Sequence, residues 1–292
     1  MVFSPLILRR IATEIYSRQN RFILELIQNS EDCNFTRTRD HPAISFEVSP
    51  EKIIVECNED GFTEGDVCQI CRTAKSWKRT TPGYIGDKGL GFKSVFLVAS
   101  RVHIQSNSFS FSFKYNGEPE STAKLGIITP ILEDDIIPPS VRPLTRMTLT
   151  LNDRIPYEEL LSHFTKIPDT LLLFLSTLKE ISIKMHDINH VMTGTVTFRK
   201  SEEESGVTRL SRSSDALNVT DDSRYIITKT LASELPDDSA RPGTNECEIV
   251  LAFPVEDGNH QWLSGQYDVF AFLPVCAVGF KVSFSYCNIC TR

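Results

Sequence analysis

Residues 22–32 read FILELIQNSED. At 100° per residue, Ile23, Leu26 and Ile27 fall on one side of a helix, while Glu25, Asn29 and Asp32 lie within about 60° of one another on the other. Asn20 supplies an N-cap, so the spacing predicts a helix from there to about Asp32. A row of carboxylate, amide and carboxylate is ordinary as the solvated face of an amphipathic helix. The same row also forms a chemical set, with Glu25 as general base on a water and Asn29 as an oxygen ligand to Mg²⁺. Adjacent turns stand about 5.4 Å apart, a spacing that seats a water beside a metal-bound phosphate.

Downstream, residues 43–48 and 52–57 alternate as two strands joined by a Ser-Pro turn. NEDGFT (58–63) is a turn, and 64–72 reads as a helix. Residues 73–88 are polar and basic and read as a loop, with 90–100 as a further helix. Gly83, Gly86, Gly89 and Gly91 place four of the chain's 14 glycines close together. Residues 72–93 carry Arg72, Lys75, Lys78, Arg79, Lys88 and Lys93 against Asp87 alone, a local charge of +5 in a chain of net −7. Glycines allow close backbone approach, and N–H groups opening a helix bind phosphate. A flexible, solvated basic loop is the plainer alternative. Two familiar phosphate motifs fail here. The P-loop register is broken by Phe92 ahead of Lys93-Ser94, and Ser94 stands where a dinucleotide fingerprint needs its third glycine.

The order of these segments resembles the GHKL ATPase superfamily, which includes gyrase, the ninety-kilodalton heat-shock chaperone, histidine kinases and MutL. ELIQNSED is similar to its N-box, NEDGFT to its first glycine motif and IGDKGLGFKSVF to its second. TAKS (73–76) resembles the start of the chaperone's ATP lid, and LTRMTL (144–149) its late strand. TEIYSRQNRFILELIQNSED, GYIGDKGLGFKSVF and VFAFLPV look like the sacsin and NO VEIN-type branch, over residues 6–283. The resemblance implies a two-layer α/β sandwich of the Bergerat ATP-binding type, with a mixed, mostly antiparallel sheet, binding ATP and Mg²⁺. It makes Glu25 the catalytic base, Asn29 the Mg²⁺ ligand and Asp32 a support for the ribose or adenine side. It assigns phosphate contact to Gly86, Lys88, Gly89 and Gly91 with Phe92 beside them, the lid to Lys75 and Ser76, and a water network at the base to Thr145. In the superfamily an Asp of D-x-G-x-G reads the adenine amino group. Counting back four from Gly61 gives Cys57, and Asn58, Glu59 and Asp60 are the polar candidates nearby.

The resemblance further implies slow ATP hydrolysis coupled to lid closure, with chaperone-like or regulatory output, or else a non-hydrolysing ATP-binding scaffold. Protein clients or self-association through a further C-terminal region are the expected partners. Residues 147–151 read as a strand and 157–179 as largely helical. Strands are expected at 181–185, 191–198, 225–231, 248–253 and 267–273, with loops at 201–223 and 233–246. The expected domains are 1–186, the ATP-binding domain, and 187–292, the truncated start of a second strand-rich α/β domain.

Composition bounds the rest. Apolar residues make up 40% and charged residues 24%, as in ordinary globular chains, which excludes mostly disordered and collagen-like readings. Acids exceed bases by 38 to 31, which argues against a general nucleic-acid binder. The longest apolar run has twelve residues against the roughly 20 of a spanning helix, so no membrane partner is expected. Eight cysteines are too few for a disulfide scaffold, and an intracellular, cytoplasmic or nuclear setting is expected. Cys68 and Cys71 sit i, i+3 on a predicted helix, as small buried thiols often do.

Overall fold

The computed structural model describes residues 21–71, 92–115, 129–141, 143–216, 218–233, 246–255, 267–271, 273–278 and 283–286. The loop expected at 73–88 and the glycine cluster lie outside them. The described residues form an α/β fold rich in strands and sparing in helices. The chain divides into two compact units, Met1–Lys166 with Ser182–Thr195, and Ile167–Ile181 with Val196–Arg292.

In the first unit, α1 (Arg21–Glu31) buries Phe22, Ile23, Leu24, Leu26 and Ile27, the stripe its spacing predicts. Strands β1 (Ala43–Val48) and β2 (Lys52–Cys57) pair antiparallel, and both alternate buried with more open positions. Period-two alternation puts every second side chain on the core face. Helix α2 (Glu64–Cys71) follows. The helix expected at 90–100 is instead a short 3₁₀ turn, Phe92–Leu97, and β3 (Ala99–Ser106) begins directly after it. The correction has a packing cause: Val102 and Ile104 bury with period two against the sheet. β3 forms a hairpin with β4 (Phe109–Lys114), whose partner is the edge strand β5 (Ile131–Leu132). β6 (Thr145–Leu151) runs antiparallel between β2 and β3.

The register determines what the sheet presents. Val48, Ile53, Leu149 and Val102 form one cross-strand row, and Phe46, Val55, Met147 and Ile104 the next. The last row runs Ile44, Cys57, Thr145, Ser106. The core face is thus apolar along most of its length and turns polar at one end. Phe164 of α3 (Tyr157–Thr165) packs edge-on to Phe22 of α1 at 6.2 Å and to Phe46 of β1 at 5.5 Å, clamping helix to sheet at the apolar end. α3 stops before Pro168, and 169–174 continues as a 3₁₀ turn, so the long helical reading of 157–179 is broken in two. β7 (Glu180–His186) lies beside β1.

From Val196 on, β8 (Met192–Glu202) belongs to the second unit, which continues as the antiparallel series β9 (Thr208–Ser214), β10 (Val219–Ala232) and β11 (Cys247–Val255). β11 pairs β14 (Ser283–Tyr286), and β14 runs parallel to β12 (Tyr267–Ala271), which makes the pairing mixed. The strand expected at 267–273 is two strands, β12 and the antiparallel β13 (Leu273–Val278). The loop expected over 201–223 is also corrected, since β9 and the start of β10 occupy most of it. Polar composition hid these strands: Thr208, Leu210 and Ser214 face inward, while Arg209 pairs outside with Asp222 at 2.5 Å. Among the described residues no helix is long and apolar enough to cross a membrane.

Candidate functional site

The polar end of the first unit's sheet opens into a cavity of about 370 Å³. Its wall combines segments far apart in sequence. α1 and the turn after it contribute Leu26, Asn29, Ser30, Asp32 and Cys33, the sheet contributes Val55, Cys57, Thr145 and Met147, and the 58–63 turn contributes Glu59, Asp60, Gly61 and Phe62. Phe92, Ile70 and Arg37 complete much of the remainder.

Glu59 is held through both carboxylate oxygens. It is buried, and its Oε2 accepts the Gly61 N–H at 2.8 Å. Its Oε1 accepts a short hydrogen bond from the Thr145 hydroxyl. Thr145 Oγ1 in turn lies 2.5 Å from Ser106 Oγ, which accepts the Phe62 N–H at 2.7 Å. Gly61 has φ +89°, and a Cβ there would meet the Asn107 side chain at 2.2 Å. Glycine is therefore required both by conformation and by space. Asn107, itself at φ +52°, donates to the carbonyls of Asp60 and Phe62 and holds the turn from outside.

The other two polar candidates serve the scaffold. The Asn58 amide accepts the Ala43 N–H at 2.8 Å and donates to Thr38 and the His41 carbonyl. Asp60 lines the cavity, but its carboxylate accepts Thr36 N–H, Thr36 hydroxyl and Arg37 N–H. Partial burial pushes that carboxyl up, yet the hydrogen bonds from Thr36 and Arg37 outweigh it and hold it below its ordinary value. Cys57 also reaches the cavity. Burial first, then the neighbouring Cys33 and Glu59, push its thiol well up, so it stays protonated at neutral pH.

On α1, Asn29 is half-buried on the cavity wall, and its side-chain amide makes no hydrogen bond among the described residues. An amide oxygen left available in this way fits a Mg²⁺ that keeps most of its ligands from phosphate and water. Glu25 lies one turn earlier and forms an ion pair with Arg21 at 3.1 Å. Asp32 follows the helix end and lines the cavity.

Phe92 lines the cavity where the glycine segment rejoins the described chain. Lys93 turns the other way: it is buried, donates to the Ile70 carbonyl at 2.9 Å and sits 4.6 Å from the centre of the Phe113 ring. It is thus not one of the bases facing a phosphate. Lys75, Ser76, Gly86, Lys88, Gly89 and Gly91 lie outside the described residues. Arg37 and Asn107, which line the cavity, and Ser106, which holds its inner end, lie outside the sequence motifs. Ser106 and Thr145 share a signal that could have found Ser106: each is a hydroxyl in the inward slot of a strand whose other inward slots are apolar.

No family model matches the chain. Among curated proteins it is 29% identical over 300 residues to Protein NO VEIN of Arabidopsis thaliana, an alignment covering 94% of this chain and 10% of that protein. The chain therefore spans about a tenth of the length of the curated relative it matches.

Proposed function

We propose that this chain is an ATP-binding domain of the GHKL type, a two-layer sandwich that binds ATP with Mg²⁺ and hydrolyses it slowly. In a longer protein of the sacsin and NO VEIN type, lid closure would drive a chaperone-like or regulatory change in conformation, with protein clients or a second copy as partners. One observation carries this reading: Asn29, Asp32, Glu59, Gly61, Phe92 and Thr145, drawn from four separate motifs, line a single cavity.

In this reading Glu59 accepts the amino group of the base, and Val55, Met147 and Phe62 give the ring apolar contact. Asn29 holds Mg²⁺ with its side-chain oxygen. The bound metal supplies charge neutralisation at the phosphate oxygens. Glu25 takes the proton of the attacking water. Lys88 and the backbone at Gly86, Gly89 and Gly91 receive the phosphates. Hydrolysis of this kind depends on positioning and charge more than on covalent chemistry.

A second reading, binding without turnover, has its own support. The Glu25 carboxylate is paired with Arg21, and Glu25 is not among the described residues that line the cavity. Calorimetry with ATP and Mg²⁺, paired with a phosphate-release assay over hours, separates the two. Binding with release supports hydrolysis, binding without release supports the scaffold, and a chain that takes up no ATP refutes both.

A further inference from the structure

We infer that Ser106 is a positioning residue that fixes the direction of hydrogen bonding at the inner end of the cavity, so that Thr145 and Glu59 meet a ligand only as acceptors. This rests on the nucleotide reading above and specifies which base edge the cavity takes.

Ser106 is fully buried at the end of β3, opposite Thr145 in the sheet register. The Phe62 N–H occupies one of its lone pairs at 2.7 Å. Among the described residues, its own proton has one acceptor within reach, Thr145 Oγ1 at 2.5 Å. The Ser106 proton therefore points at Thr145, and Thr145 must give its own proton onward to Glu59 Oε1. The second Glu59 oxygen accepts the Gly61 N–H at 2.8 Å. Every hydroxyl proton in the row is consumed within the protein. Toward the cavity, which both line, Glu59 and Thr145 therefore present acceptors and no donor. A base edge must then bring the donor, as the 6-amino group of adenine does. A purine without that amino group places a ring nitrogen and a C–H against acceptors and loses the hydrogen bond that the amino group would donate, which is costly in a buried site.

The test is competitive calorimetry of ATP against purine riboside triphosphate, which lacks only the 6-amino group. The whole chain is used as wild type, Ser106→Ala, Thr145→Val and the double variant, each checked for folding by thermal melt. Wild type is expected to prefer ATP by about tenfold or more, the strength of a hydrogen bond to a charged group. Ser106→Ala frees the Thr145 hydroxyl to turn, and the preference falls to about threefold or less. Because Ser106 acts through Thr145, adding Ser106→Ala to Thr145→Val changes the preference no further. Ser106→Thr, which keeps the hydroxyl, restores it. If Ser106→Ala does not fold, the near-isosteric Ser106→Cys, a weak donor, takes its place with the same expectation. An undiminished preference in the folded variant, or a further fall in the double variant, overturns the inference. Equal binding of both triphosphates by wild type overturns it while leaving the nucleotide reading standing. Binding of neither overturns both.

Discussion

Thr145, at the start of β6, gives its hydroxyl proton to Glu59, 86 residues earlier in the chain and buried beside it. The bond exists because β6 pairs with β2 in a register that sets Thr145 opposite Cys57, two residues before Glu59. It ties the 58–63 turn to the sheet and gives the cavity a fixed polar end.

Removing the carboxylate separates the stability of this end from its binding. Glu59→Ala leaves the Thr145 hydroxyl and the Gly61 N–H without their acceptor, at a cost of about 1–3 kcal/mol. A lower denaturation midpoint with an unchanged slope is the expected result. Glu59→Gln keeps the shape and is expected to lose about tenfold in ATP affinity with a smaller loss of stability.

Gly61 is expected to tolerate no side chain. Gly61→Ala meets both a positive φ and the Asn107 side chain, and the strain is expected to cost about 1–3 kcal/mol. Chemical denaturation reads the loss. Asn107→Ala in the same chain clears the collision but not the backbone strain, so it should recover only part of the stability.

The buried ammonium gives a pH signature. Burial, only partly opposed by the nearby Cys71, lowers Lys93 from 10.5 to about 8. Between those values the unfolded chain holds a proton that the folded chain has released. Raising the pH through this window therefore stabilises the fold. The stability of wild type relative to Lys93→Met should rise from pH 8 to pH 10, by denaturant midpoints at each pH. Cys57 and Cys71, whose thiols are pushed up, contribute in the opposite sense in both chains. A difference that stays flat with pH contradicts the buried placement of Lys93.

Glu25→Ala is expected to abolish phosphate release while ATP still binds. Release at the wild-type rate in that variant removes Glu25 from the role of base.

Much of the first unit is legible in the sequence because its signals are local. The stripe of Ile23, Leu26 and Ile27 specifies α1, and the alternation of Ile44, Phe46 and Val48 specifies β1. β9 is hidden because its inward side chains include Thr208 and Ser214, and only cross-strand pairing makes it a strand. The site follows the same division. Asn29 and Asp32 can be read from helical spacing, whereas choosing Glu59 from among Asn58, Glu59 and Asp60 needs the tertiary register that brings Thr145 alongside. The local mark of Ser106 is only a hydroxyl in an inward slot of β3, and its role depends on pairing with a strand that begins 39 residues later. Lys93 misleads for a related reason: a lysine in a basic run reads as solvated, and only the packing of Phe113 and the Ile70 carbonyl turns it inward.

The central claim is that the cavity between α1 and the polar end of the sheet is a nucleotide site. Its most direct test is one calorimetric titration of ATP with Mg²⁺ into the wild-type chain and into Asn29→Ala and Glu59→Gln. Saturable one-to-one binding is predicted, with the magnesium-dependent part lost in Asn29→Ala and overall affinity lowered in Glu59→Gln. No binding by wild type, or equal binding by all three, would contradict it.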